Sequence, residues 1–318
     1  MPHTFDLLVI GDANPDVVLG PLDEPLAFGQ REQLVPTGLL TLGGSAAITA
    51  CGAARLGLRV AIAGRVGDDE AGRFVRAALT DRGVDTAALR VDPNLCTPLT
   101  TVLTRADGDR AILTAAGTLD ATGPEDVPEE LLTRSRHVHA ASYFLMPGLA
   151  KALPDLLRTA RAHGAGTSLD TNDDPSGRWD PTGLAAVLPA VDVLLPNAQE
   201  ALALARMPTG TPEAAAERLA ARGPLVVVKN GGEGAFAHDG RTVLRTRGIP
   251  ARPLDTVGAG DSFDAGYLAA LLAGESPGRA LELAAACGAL STRAHGGTPA
   301  QPTWDEAVAA LARNRKNQ

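Results

Sequence analysis

Long apolar runs are missing from this sequence: no uncharged stretch approaches the length needed to cross a membrane. The start, Met-Pro-His-Thr-Phe-Asp, has no basic segment with an apolar one behind it, so neither a signal peptide nor a membrane span is expected. Clustered cations are missing too. A net charge of −8 without a basic run disfavours a nucleic-acid partner and makes any phosphate contact a local one. Cysteine occurs three times, at Cys51, Cys96 and Cys287, isolated in mostly apolar surroundings. That pattern fits buried, reduced thiols and a cytoplasmic protein better than a disulfide frame or a metal site. There is no Walker loop and no Gly-x-Gly-x-x-Gly at the first crossover, which disfavours P-loop and nicotinamide enzymes. His137 and His139 share a strand face but lack a third metal ligand.

What is present reads as an α/β chain. At 318 residues and 45% hydrophobic content it can bury a full core. Strands are expected at Phe5–Ile10, Arg59–Ala63, His137–Ala141, Gly166–Asp170, Val191–Leu195 and Leu225–Lys229. Helices are expected over 45–56, 68–82, 150–163, from Asn197, and over 212–222, 262–272, 279–294 and 303–313. Such alternation implies right-handed crossovers and a parallel sheet with helices on both faces. Two segments break the pattern. Residues 20–40 lack a helical period and read as a long loop or a small sheet, and Leu99–Thr104 with Arg110–Thr114 reads as a hairpin around Ala-Asp-Gly-Asp.

Ligands of open parallel sheets bind beyond the carboxyl ends of the strands. There the sequence places Asn14 and Asp16, Asp170 and Asn172, Asn197 and Glu200, Lys229 and Gly231, and the stretch 253–267. In that stretch Gly258, Ala259 and Gly260 allow close backbone approach and lead into a helix, whose first amides and positive dipole suit an anion. Asp261 in that mouth is either a proton acceptor for an incoming hydroxyl or an N-cap. Asn197 and Glu200, three apart, suit hydrated magnesium or form a capping box. Lys229, one of three lysines, suits a nucleotide phosphate or ends its strand as a solubilising charge.

These residues resemble the ribokinase-like carbohydrate kinases, the PfkB family. The signature Asp-Thr-x-Gly-Ala-Gly-Asp-x-Phe-x-x-Gly is present from Asp255 to Gly266. Further matches are Gly11-Asp-Ala-Asn14-Pro-Asp16, Gly43-Gly44, Gly64-Arg-Val-Gly67-Asp68-Asp69-x-x-Gly72, Gly83-Val-Asp85, Gly108-Asp-Arg110, Pro196-Asn197-x-x-Glu200 and Lys229-x-Gly231. The resemblance implies a ribokinase-like three-layer sandwich over 1–318 as a single domain, with a mainly parallel central sheet and a small β lid from about 12–40 and 97–115. It implies ATP-dependent phosphoryl transfer to a hydroxyl of a sugar, sugar-like or nucleoside acceptor. Asp261 would be the general base, and Gly258, Ala259 and Gly260 the anion hole. Asn197, Glu200, Lys229, Gly231 and Gly234 would serve ATP, with Mg2+ at Glu200 directly or through water. Asp255 would face an activating K+, in a loop completed near His295 to Gly297. Asn14, Asp16, Gly43, Gly44 and Arg110 would hold the acceptor, and the lids would pair in a homodimer. The chain departs from the family pattern at Ile48, where an Asn is usual. Ile48 cannot hydrogen-bond a sugar, which points to a less hydroxylated or differently oriented acceptor, or to a non-catalytic sensor on the same fold.

Overall fold

Four consecutive apolar residues, Leu7 to Ile10, are fully buried on strand β1 (Phe5–Ile10) because the strand has neighbours on both edges and helices on both faces. The computed structural model describes residues 3–107 and 109–316, so Gly108 of the expected hairpin lies outside the described residues. β1 is followed by β2 (Asn14–Leu22), β3 (Thr37–Gly43), α1 (Ser45–Arg55), β4 (Val60–Gly67), α2 (Glu70–Thr80), β5 (Val84–Asp85), β6 (Leu89–Asp92), β7 (Leu99–Arg105) and β8 (Arg110–Ala115). The second half runs α3 (Glu129–Arg134), β9 (Ser135–Ala140), α4 (Pro147–Ala162), β10 (Gly166–Leu169), α5 (Pro181–Val187), β11 (Val193–Leu194), α6 (Ala198–Leu204), α7 (Pro212–Ala220), β12 (Leu225–Lys229), β13 (Ala235–His238) and β14 (Val243–Thr246). It ends with α8 (Ala259–Leu272), α9 (Pro277–Ser291) and α10 (Trp304–Lys316).

A 10-stranded sheet runs in the order β14-β13-β12-β11-β10-β9-β1-β4-β5, with β6 also paired to β4. All pairs from β12 to β5 are parallel, and β13 and β14 add an antiparallel edge. Period-2 alternation divides the core between two faces. Leu7, Val9, Val193 and Val227 pack with α1, α2, α8 and α9, whereas Leu8, Ile10, Leu194 and Val228 pack with α4 to α7. The expected three-layer α/β sandwich is therefore the observed one.

The segment left open between loop and sheet is both. β2 and β3 flank an irregular stretch and join β7 and β8 in a separate 4-stranded sheet of order β3-β2-β7-β8. Asn14 and Asp16 thus belong to this second sheet, three and five residues past Gly11. The β13–β14 hairpin and α5 went unread. β13 is short and buried throughout, so it lacks an alternating pattern, although Asp239-Gly240 between the two strands is a hairpin signal. Cys96 corrects the expectation of three buried thiols: Cys51 and Cys287 are buried, but Cys96 lies exposed in the loop before β7. His137 and His139 share Ser168 Oγ at 2.8 Å each, and burial pushes them down to about 4 and about 3. Among the described residues no helix is long and apolar enough to cross a membrane.

Candidate active site

The turn before α8 has Gly258 at the N-cap with φ +70°, where a Cβ would lie 2.6 Å from Gly297 Cα. Both the left-handed backbone and the close approach demand glycine. Asp255 fixes the turn: its Oδ1 accepts from Val257 N and its Oδ2 from Gly296 N, each at 2.9 Å. Because Gly258 takes the cap position and α8 has no side-chain cap, Asp261 is not spent as an N-cap. It is 8% exposed at the third helical position, facing a cavity of about 2030 Å³. Burial, reinforced by the charge of Asp170 and partly offset by Lys229, pushes its carboxyl up to about 8.

A second carboxyl, Asp16, enters the cavity from β2. Asn14 Nδ2 donates to Asp16 Oδ1 at 2.9 Å and to Thr100 Oγ1 at 3.1 Å, and Thr100 meets Thr114 across the β7–β8 pair at 3.0 Å. Burial and the nearby Asp12 and Asp255 push Asp16 up to about 7. A Cβ on Gly43 would fall 1.9 Å from Asp16 Oδ1, so Gly43 makes room for that side chain. Asp12 accepts from the first amides of α1, Ser45 N at 3.2 Å and Ala46 N at 3.0 Å. Asn172 links Ser142 N (2.7 Å) to Ser45 Oγ (2.9 Å) on the cavity wall. Above the turn, Arg110 of β8 donates to Thr256 Oγ1 at 3.3 Å.

On the far side the capping box of α6 is complete: Glu200 N donates to Asn197 Oδ1 at 2.9 Å, and Asn197 N to Glu200 Oε2 at 2.8 Å. Burial and Asp170 push Glu200 up to about 7. Among the described residues no hydrogen bond reaches its second oxygen, and that oxygen suits a hydrated divalent cation. Lys229 ends β12 at the cavity wall, ion-paired rather than spent as a solubilising surface charge. Its ammonium is buried, 2.6 Å from Asp170 Oδ2 and 3.2 and 3.1 Å from the two oxygens of Asp264.

Asn14, Asp16, Gly44, Arg110, Asn197, Glu200, Lys229, Gly231, Gly258, Gly260 and Asp261 line the one cavity. Gly43, Gly234, Asp255 and Ala259 stand behind its wall. At Gly234 a Cβ would meet Thr246 O at 2.2 Å, so that glycine serves the packing of β14. Asp12, Ser45, Thr100, Thr114, Ser142 and Asp264 escaped the sequence reading. Asp264 was within reach of helical spacing, being three residues beyond Asp261 on the same face. The others converge only through tertiary structure.

Residues 4–304 match the pfkB family carbohydrate kinases. The chain is 35% identical over 306 residues to the ATP-dependent ribose-1-phosphate kinase of Halopiger xanaduensis, covering 96% of this chain and 98% of that protein. Arabidopsis thaliana ribokinase, solved with ribose and ATP, superposes with TM-score 0.86 at 27% identity, covering 98% of this chain and 99% of that one. An E. coli protein described as a candidate ribokinase II, solved with ATP and Mg2+, gives TM-score 0.85 at 25% identity, with 97% and 99% covered. With its fold and nearly its whole length matched, the chain belongs to the pfkB family carbohydrate kinases, phosphotransferases with an alcohol group as acceptor.

Proposed function

We propose that this protein transfers the γ-phosphoryl group of ATP to a hydroxyl of a sugar, with Asp261 as general base. The observation that carries the reading is that Asp261, buried and not used as a helix cap, holds its proton to high pH at the start of α8, in one cavity with Asp16 and Glu200. Asp16, oriented by Asn14 and Thr100, accepts hydrogen bonds from sugar hydroxyls and places one of them near Asp261. In the turn shaped by Gly258, Ala259 and Gly260, the Ala259 amide donates to Thr256 O at 3.3 Å, and the other first amides of α8 would meet the phosphoryl group as its equatorial oxygens gather charge. The acceptor oxygen bonds to the γ-phosphorus, the bond from that phosphorus to the ADP oxygen breaks, and the hydroxyl proton passes to Asp261. Because this transition state is loose, the proton moves late and a carboxylate suffices.

Glu200 and Asn197 would hold Mg2+ through water against the ATP phosphates, and the ion would supply charge neutralisation. Asp255 suits a monovalent cation: each oxygen accepts one amide and retains acceptor capacity, and K+ would brace the loops 255–257 and 295–297. Gly231 and Gly234 shape the nucleotide side, Gly44 backs the acceptor, and Arg110 latches β8 over the turn. Ile48, 3% exposed, adds an apolar wall with Val102, which favours an acceptor with a C–H face there. The names of the relatives make ribose and ribose 1-phosphate the first acceptors to try. We further read the chain as one domain whose 4-stranded sheet is its lid, acting in the cytoplasm. That compartment's reducing pool suits the unpaired Cys51, Cys96 and Cys287.

Asp261→Asn should lower turnover by at least about a thousandfold with ATP binding nearly intact, since it removes the base and keeps the shape. Rates over an acceptor panel with MgATP, with and without K+, measure this. Undiminished turnover in Asp261→Asn would remove the base assignment.

A further inference from the structure

Carboxyl oxygens of Asp170, Asp261 and Asp264 lie within 4.8 Å of one another, an arrangement that could hold a metal ion. Here the positive charge is built in. Lys229 Nζ is gripped from the β10 end by Asp170 and from α8 by both oxygens of Asp264. It also lies under the anion-binding turn, since a Cβ on Gly260 would be 3.5 Å from Nζ. Asp261, one helical turn before Asp264, makes no hydrogen bond to this ammonium among the described residues. Asp170 alone would balance the charge of Lys229. The second grip, from the helix that also carries Asp261, ties the lysine to the frame of the turn.

We propose that Asp170, Lys229 and Asp264 are positioning residues for phosphoryl transfer, which fix one positive charge beneath the anion-binding turn, beside Asp261 but unable to pair with it. This rests on Asp261 being the base. The groups facing Asp261 are Asp12 from the β1–β2 turn, Ser45 from α1, Asp170 after β10, Lys229 at the end of β12 and Asp264 from its own helix; Glu200 of α6 stands near Lys229. Lys229 is the cation in this set. Burial would raise Asp170, but the charge of Lys229 beside it holds it below the usual carboxylate range, whereas burial keeps Asp264 well above that range. The effect of the trio on Asp261 depends on where the ammonium is held.

Two replacements should act in opposite senses. Lys229→Gln removes the positive charge, so Asp261 keeps its proton to higher pH. Asp170→Asn with Asp264→Asn frees the ammonium to pair with Asp261, so the base ionises at lower pH. The test is the pH profile of kcat/KM for the acceptor at saturating MgATP, with thermal melting as the check on folding. The acidic limb should rise by about one pH unit in Lys229→Gln and fall by about one or more in the double variant. Lost packing alone gives no such opposition. Limbs that stay at the wild-type position in folded variants, or move the same way, overturn the proposal. If Lys229→Gln does not fold, the direction of shift in the double variant decides. An active Asp261→Asn would sink the base assignment itself, whereas an inert Asp261→Asn with unmoved limbs would sink only the role of the trio.

Discussion

The side chains that suit this site to chemistry are poorly suited to stability. Asp16 and Glu200 at about 7 and Asp261 at about 8 bind protons in the folded state that the unfolded chain has lost near pH 4. Folded values above unfolded ones mean that stability is fully present below about pH 4 for these groups and declines as pH rises toward 7 or 8. Asp261→Asn should therefore be more stable than the wild type at pH 8, by on the order of a few kcal/mol and with a higher melting temperature, with the gap closing toward pH 4. Thermal melts of both proteins across that range check this, and a constant gap would show that Asp261 ionises without cost. At Asp16 the expected loss is in recognition. Asp16→Asn keeps the bond geometry to Asn14 but weakens acceptance from sugar hydroxyls, and should raise acceptor KM about tenfold or more with little change in KM for ATP. Initial rates varied in each substrate separate the two.

Among the elements, β4 shows that a family motif can be structural. Arg65 is 9% exposed and bonds Asp126, Asp92 and Glu125 at 2.9–3.2 Å, and Asp69 caps α2 through Gly72 N while also bonding Thr97 N and Oγ1. The glycines of the motif allow backbone contact: a Cβ on Gly64 would lie 2.3 Å from Gly11 O, and one on Gly72 2.2 Å from Gly67 O. Arg65→Met takes the buried guanidinium from Asp92 and Asp126, leaving Asp126 only Arg90 at 3.4 Å as a cation, and should cost about 3–5 kcal/mol while leaving both KM values unchanged, as read by denaturant unfolding and kinetics. Elements of strong period or apolar run were legible in the sequence. β1 and β12 stand where they were expected, and most helices fall within a few residues, because burial on one or two faces writes itself into the pattern. β13 and α5, short and without clear period, were not. At the site, glycines and strand-end polar residues were legible because turns and backbone approach restrict residue type. The ion pairing of Lys229 was not, since its partners come from the end of β10 and from α8, 59 residues before it and 35 after.

For the whole molecule, the second sheet has two edges, β3 and β8, without a partner strand among the described residues, and every residue of β8 is exposed. Leu39, Leu40, Ile112 and Leu113 add apolar surface there, and Phe28 and Leu34 in the β2–β3 connection are each 91% exposed. Unpaired edges with apolar flanks favour association, and we expect two copies to pair through these sheets. Sedimentation should report a dimer for the wild type, and Leu113→Lys with Leu40→Lys should shift it to a monomer. A monomeric wild type at micromolar concentration would refute the pairing.

Asn14 and Asp16 are carried by β2, and only residues 11–13 separate that strand from the buried end of β1. The side chains proposed to hold the sugar are thus part of the sheet proposed to cover it. If the 4-stranded sheet is the lid, a ligand held by Asp16 would draw on that sheet through a three-residue connection, and a ligand without matching hydroxyls would give it nothing to follow. Vigilance against spending ATP on water would then need no separate sensor, because the same two side chains report arrival and draw the cover down.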